Sequence, residues 1–234
     1  PAEAEAAGAA GDWRPLGPEE LPDTAALAQL LARAGLDPEA YGVGGAKPLS
    51  ALLEEAQQGE SRLEWSEQLS SLRRAAEPVF VQLRWGGRVL VEVEQRLKDG
   101  GTRQRNMLLA EKRAPEDADA AATALRGLRE ELDLPGDFPA LDAVVRVDPE
   151  ACSCVTEHAE SRSYPGLPCL YVTHYCSVEL LEAGLPHFER LGLLAEEFET
   201  AEKDKVNRWR WTPVEEARRA GVKGFPKPCG QGPS

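Results

Sequence analysis

Residues 120–132, Ala-Ala-Ala-Thr-Ala-Leu-Arg-Gly-Leu-Arg-Glu-Glu-Leu, constrain the fold more than any other stretch of the chain. Alanine, leucine, arginine and glutamate are strong helix formers, and Asp117 or Asp119 is placed to cap the start. Pro135-Gly136 ends the run. The exception is Gly127, which costs a helix interior about 0.5–1 kcal/mol against alanine and implies close packing or a lost need for a side chain. Upstream the pattern is extended. Residues 79–85 and 89–96 read as strands joined by a Gly86-Gly87 turn, Lys98-Asp99-Gly100-Gly101 marks a second turn, and residues 105–110 read as a short third strand.

Downstream, residues 144–147 predict a strand, followed by a loop through Ser163, and residues 170–180 predict the longest strand. Residues 184–205 read as an acidic connection. Residues 208–212 alternate like a strand, and Pro213 opens a helix through Ala220. A helix between extended segments on both sides predicts an α/β domain.

Ahead of this domain, residues 1–75 carry 13 acids against 6 bases and are expected to form an acidic helical extension. Pro22-Asp23-Thr24 offers caps for a helix through Ala34 that Gly35 closes, and a second helix runs from Pro48-Leu49-Ser50 to Ala56. Between them, residues 41–47 are glycine-rich but neither follow a strand nor carry a phosphate-loop signature, so they read as a turn. Residues 226–234 read as a tail.

Composition narrows the function classes. At 234 residues and 42% hydrophobic content the chain is long enough for a sizeable core, and a soluble globular protein is expected. No run approaches the roughly 20 apolar residues of a membrane span. A formal charge of −13 repels phosphate backbones and argues against bulk nucleic-acid binding. Five cysteines, at 152, 154, 169, 176 and 229, form no secreted-domain framework and are expected as free thiols. Cys152, Cys154 and His158 are the start of a zinc pattern without a second pair, and read as loop residues. His174 is expected as a satisfied core residue. Trp209 and Trp211 share a strand face, for which core packing is a commoner explanation than base stacking.

The run Arg126-Gly127-Leu128-Arg129-Glu130-Glu131-Leu132-Asp133-Leu134 resembles the second half of the Nudix box, G-x5-E-x7-R-E-U-x-E-E-x-G-U, with U a bulky aliphatic. Arg126, Leu128, Glu130, Glu131 and Leu134 match. Gly127 stands where the first helical glutamate belongs, and Asp133 replaces the closing glycine. The upstream glutamate falls on Ala118 and the first glycine on Lys112. Asp117, Glu116 and Asp119 lie within two residues of the former. The resemblance covers residues 77–222 and implies an α/β/α sandwich around a mixed sheet over a domain of residues 76–225. Residues 163–168 resemble a loop of some algal Nudix-like proteins, and residues 1–11 resemble what remains after an organellar transit peptide is removed, so an organelle such as a plastid is the expected address.

In the Nudix family, carboxylates at i, i+3 and i+4 share one helical face and bind magnesium against a diphosphate. Glu130 and Glu131 are therefore the magnesium candidates, retained without the member at 127. The resemblance implies a Nudix fold with a degraded catalytic motif, a pseudoenzyme acting as a non-catalytic accessory or binding subunit with protein partners in a larger assembly. One alternative is a magnesium-dependent hydrolase of nucleoside diphosphates linked to another group, with Glu130 and Glu131 on metal, Arg126 orienting a carboxylate, and Glu179 or Glu182 as base. Another is a nucleotide or metabolite sensor without turnover.

Overall fold

The computed structural model describes residues 11–98, 100–161, 163–201 and 205–226. Cys229, the transit-peptide-like start before Gly11 and most of the expected tail lie outside them. In chain order the elements are β1 (Arg14–Pro15), α1 (Thr24–Arg33), α2 (Leu49–Gln57), β2 (Arg62–Ser66), β3 (Ser71–Ala76), β4 (Pro78–Trp85), β5 (Arg88–Leu97), β6 (Thr102–Lys112), α3 (Ala120–Glu131), α4 (Leu141–Val144), β7 (Val145–Glu160), β8 (Pro168–Leu180), α5 (Leu185–Arg190), β9 (Glu197–Ala201), β10 (Lys205–Pro213) and α6 (Val214–Arg219). The protein is of mixed α/β class. No helix among the described residues is long and apolar enough to cross a membrane.

The chain divides into two compact units. The first comprises residues 1–78, 112–116 and 155–173, and the second residues 79–111, 117–154 and 174–234.

In the first unit, the expected helices form as α1 and α2, with Asp23 accepting the Ala26 N–H at 2.8 Å as the cap of α1. Gly35 follows in the left-handed conformation that closes it. The segment is not solely helical, which corrects the expectation: β1, β2 and β3 pair antiparallel, and residues 169–171 of β8 add in parallel to β3. The signal was short. Leu63 and Trp65 are the two apolar residues of a five-residue strand, and the opposed Glu64 and Arg73 form a cross-strand ion pair at 2.7 Å. Leu27, Leu31, Leu52, Leu63, Trp65, Leu72, Tyr164 and Leu167 make the core.

Beside that core lies a buried ion network. Arg74 donates to Glu55 at 2.7 Å and Lys47 donates to the same carboxylate at 2.7 Å, with Lys112 at 3.5 Å. Burial alone would raise the Glu55 carboxyl, but these three cations outweigh it and hold it down at about 2 against an ordinary 4.5.

The second unit carries the expected hairpin. Gly86 and Gly87 both have positive φ, as a two-residue turn between right-twisted strands requires, and Trp85 faces Arg88 across it. Its mixed sheet runs β8–β4–β6–β5–β10–β9, with residues 174–179 of β8 parallel to β4 and the β5–β6, β5–β10 and β9–β10 pairs antiparallel. The third strand is longer than expected, eleven residues, and the turn before it is closed by the Leu97 N–H donating to the Gly101 carbonyl at 2.8 Å. Val79, Val81, Leu83, Leu90, Leu109, Leu128, Val178, Trp209 and Trp211 fill the main core.

Two expectations downstream are corrected. The loop predicted after Val147 is strand: β7 runs sixteen residues and pairs with β8. Nearly all its side chains from Asp148 onward are exposed, so no apolar alternation marked it. The acidic connection also holds structure, because Phe188 and Leu193 are buried and anchor α5 and its exit.

The Glu55 network makes stability pH-dependent. A carboxyl whose folded value lies below its unfolded one contributes fully above about pH 4.5, and the contribution fades as pH falls towards about 2. Urea midpoints measured from pH 6 to 2.5 should fall steeply below pH 4.5 in the wild type, and less steeply in Glu55→Gln, which starts from a lower midpoint.

Candidate functional site

Helix α3 carries the motif residues, and its start is fixed by sequence. Asp119, in extended conformation, accepts the Ala122 N–H at 2.8 Å as N-cap. Two residues earlier, Asp117 is buried and receives the Thr123 hydroxyl at 2.9 Å. Arg126, two turns into the helix, reaches back with a fork: Nε to Oδ1 at 3.2 Å and Nη2 to Oδ2 at 2.9 Å of the same carboxylate. Its Nη1 donates to Glu130 at 3.2 Å and lies 3.6 Å from Glu111 on β6. Asp117 first, then Glu111 and Glu130, hold the guanidinium more firmly protonated than usual. Among the three acids near Ala118, Asp117 is the one that meets the arginine.

Gly127 faces β6. A Cβ built there would sit 2.9 Å from Glu111 Cβ, 3.2 Å from its Cγ and 3.4 Å from Leu109 Cδ2. Close packing therefore accounts for the glycine. The obstacle at 2.9 Å is the root of a side chain rather than its flexible end, so a larger residue must push helix and strand apart.

Glu130 and Glu131, adjacent in sequence, take part in different networks. Glu130 is exposed and pairs with Arg126. Glu131 is largely buried, and its carboxylate accepts from Asn207 Nδ2 at 2.8 Å and Lys205 Nζ at 3.4 Å on β10. Its main-chain carbonyl accepts the Thr200 hydroxyl at 2.7 Å, and Thr200 in turn receives the Trp209 indole N–H at 2.8 Å. The helix end is thus tied to β9 and β10 through both its side chain and its backbone.

The closing position also has a geometric explanation. Asp133 stands at φ 50°, the left-handed conformation in which a helix ends and which glycine adopts without strain. The Leu134 N–H returns to the Arg129 carbonyl at 3.0 Å, so the helix stop is made despite the substitution.

These side chains do not fit a magnesium site of the i, i+3, i+4 kind. The first position has no carboxylate and no room for one, the second is paired with a guanidinium, and the third is engaged by an amide and an ammonium. Among the described residues no three acid, histidine or cysteine groups are grouped to hold a metal ion, and that includes Cys152, Cys154 and His158. Cys152 packs against the core of the second unit with its Sγ 3.2 Å from the Asp148 carbonyl, whereas Cys154 and His158 are exposed. Glu179 is on β8 opposite Arg84 of β4, and Glu182 opens the turn after β8. Trp209 and Trp211 are buried, their indole N–H groups bonded to Thr200 and the Leu193 carbonyl, so neither offers a face to a base.

Glu111, Asn207 and Lys205 are the participants that the motif did not indicate. Glu111 lies one residue past the third strand as read from sequence, and Asn207 contacts Glu131 across 76 residues of chain. No short-range spacing encodes either contact.

Comparison with solved structures finds similarity to a Nudix hydrolase from Nitrosomonas europaea at 16% identity and a TM-score of 0.35, covering 65% of this chain and 82% of that one. No family model and no curated protein matches the chain.

Restoring the two motif residues should have opposite effects on stability. Gly127→Glu gains up to about 1 kcal/mol of helix propensity but overpacks the β6 contact, and a net loss of about 1–2 kcal/mol is expected. Asp133→Gly removes left-handed strain and should gain roughly 0.5–1 kcal/mol. Chemical denaturation of both variants beside the wild type gives the two signs directly.

Proposed function

We propose that the chain is a Nudix-like protein whose motif helix is retained for structure, and that it serves as a non-catalytic binding or accessory subunit with protein partners. The observation that carries this reading is the closure of position 127 by Glu111. A Nudix hydrolase needs its helical carboxylates free to converge on a cation that neutralises a diphosphate. Here Arg126 supplies the positive charge internally, held by Asp117 and Glu130, and Glu131 secures the helix to β10.

Two further features support a binding role. The order of elements around α3, a hairpin, a third strand, the helix, then more strands and a closing strand–helix pair, fits the Nudix resemblance of residues 77–222. Strand β7 has β8 as its strand partner among the described residues, and an exposed strand of this length suits recognition by added β pairing.

Turnover decides between this reading and hydrolysis. A panel of nucleoside diphosphate derivatives at saturating magnesium should give no phosphate or nucleotide release above a protein-free control. Release by the wild type that Glu130→Gln abolishes would overturn the proposal. Glu130 is the informative position because it is exposed, whereas Glu131→Gln also loosens the helix anchor.

A further inference from the structure

Strands β7 and β8 are neighbours, and main-chain bonds fix both ends of the pair: the Ser161 N–H donates to the Leu167 carbonyl at 2.9 Å, and the Leu181 N–H to the Val144 carbonyl at 3.0 Å. The pairing is therefore antiparallel. Counting nine residues along each strand from the first bond brings Cys152 opposite Cys176, whereas counting from the second brings it opposite Thr173. The counts differ because the ladder is interrupted. Pro149 has no N–H to give and the Glu150 N–H is taken by the Asp148 side chain at 3.1 Å, which places the irregularity ahead of Cys152. The register of the Ser161 end governs the two cysteines.

Packing agrees with that register. Cys176 is buried in the main core of the second unit, Cys152 packs against the same core, and the two thiols lie within hydrogen-bonding reach of each other. Burial first, and then the neighbouring Cys152, push the Cys176 thiol up to about 12, so it stays protonated. Cys152 is only half-buried, its Sγ 3.2 Å from the Asp148 carbonyl, and it is the sulfur that a solvent-borne oxidant can meet. Both thiols are free in this structure.

We propose that Cys152 and Cys176 are an oxidation site, a thiol pair that closes to a disulfide across β7 and β8 when the chain meets hydrogen peroxide. Opposed residues of an antiparallel pair stand about 4.5–5.5 Å apart at Cα, inside the roughly 4.4–6.8 Å that a disulfide spans, so the strands need not move to close it. The Cys152 sulfur attacks one peroxide oxygen, the O–O bond breaks, and the leaving hydroxide takes up the thiol proton as water, which leaves a sulfenic acid. The Cys176 sulfur then attacks Cys152 Sγ; the S–S bond forms, the S–O bond breaks, and the second hydroxide departs as water with the Cys176 proton. The two sulfurs together lose two electrons and the peroxide becomes two waters. Cys176 needs no path to solvent, because Cys152 brings the oxidised sulfur to it. The bond ties the exposed strand β7 to the core strand β8, and it forms or fails irrespective of turnover or of protein partners.

The test uses the full reduced chain, treated with hydrogen peroxide at rising concentration until exposed Cys154 is modified, then blocked with N-ethylmaleimide and digested without reductant. Fragmentation of the linked peptides by mass spectrometry should join Cys152 to Cys176 in most molecules, and dithiothreitol should abolish the link. Cys154→Ser should keep it and Cys152→Ser should lose it. Cys176→Ala, which lacks the second sulfur, should instead leave a Cys152 sulfenic acid that dimedone traps. The wild-type map decides the matter even where a variant folds poorly. Modification of Cys154 with no link between Cys152 and Cys176, or a main product that joins either of them to another cysteine, overturns the proposal.

Discussion

Helix α3 approaches strand β6 so closely at Gly127 that a single added carbon would meet Glu111 Cβ at 2.9 Å. The arrangement of the whole Arg126 cluster depends on that approach. It brings Glu111 within 3.6 Å of the Arg126 guanidinium while Asp117, fixed just before the helix, grips the other side through two hydrogen bonds. A glutamate at 127 and Glu111 in its present place are mutually exclusive on steric grounds. The absence of a side chain at 127 and the packing of α3 on β6 are therefore a single fact.

The far end of the helix follows the same logic. In a metal-binding helix, paired glutamates repel one another and depend on a cation for compensation. Here each carboxylate has its own protein donor, and Glu131 joins a chain of hydrogen bonds through Thr200 to the buried indole of Trp209. Removing one member of such a partly buried set leaves the others unsatisfied, which makes the network hard to dismantle one residue at a time.

Sequence periodicity was enough to locate α3 to within a residue of its end, the Gly86-Gly87 hairpin, β8, β10 and α6, because each has a strong local signal: caps, positive-φ glycines, alternation or proline. It failed where the signal is not local. β2 and β3 are short strands within a segment whose helices dominate its pattern, and β7 exposes its side chains and is specified by backbone pairing with β8. At the site, Arg126 and the nearby acids were readable from spacing, and the one-residue displacement to Asp117 left the arginine a partner. Glu111, Lys205 and Asn207 enter through tertiary contacts that no spacing rule reports.

The buried ions of the first unit raise a related question of why charge is placed where apolar residues would serve. Replacing a buried pair such as Arg74–Glu55 with packed hydrophobic groups is often neutral or favourable for stability, so attraction alone does not explain it. Glu55 gathers Arg74, Lys47 and Lys112 from three separate stretches of sequence, and an apolar residue would be satisfied by many neighbours where a carboxylate accepts only these donors. The same arrangement leaves Lys112 shared between Glu55 and Glu60. Because the Glu55 carboxylate on α2 accepts from Arg74 on β3 at 2.7 Å, the network selects one placement of the helix beside the strand, which is a gain in specificity rather than in attraction.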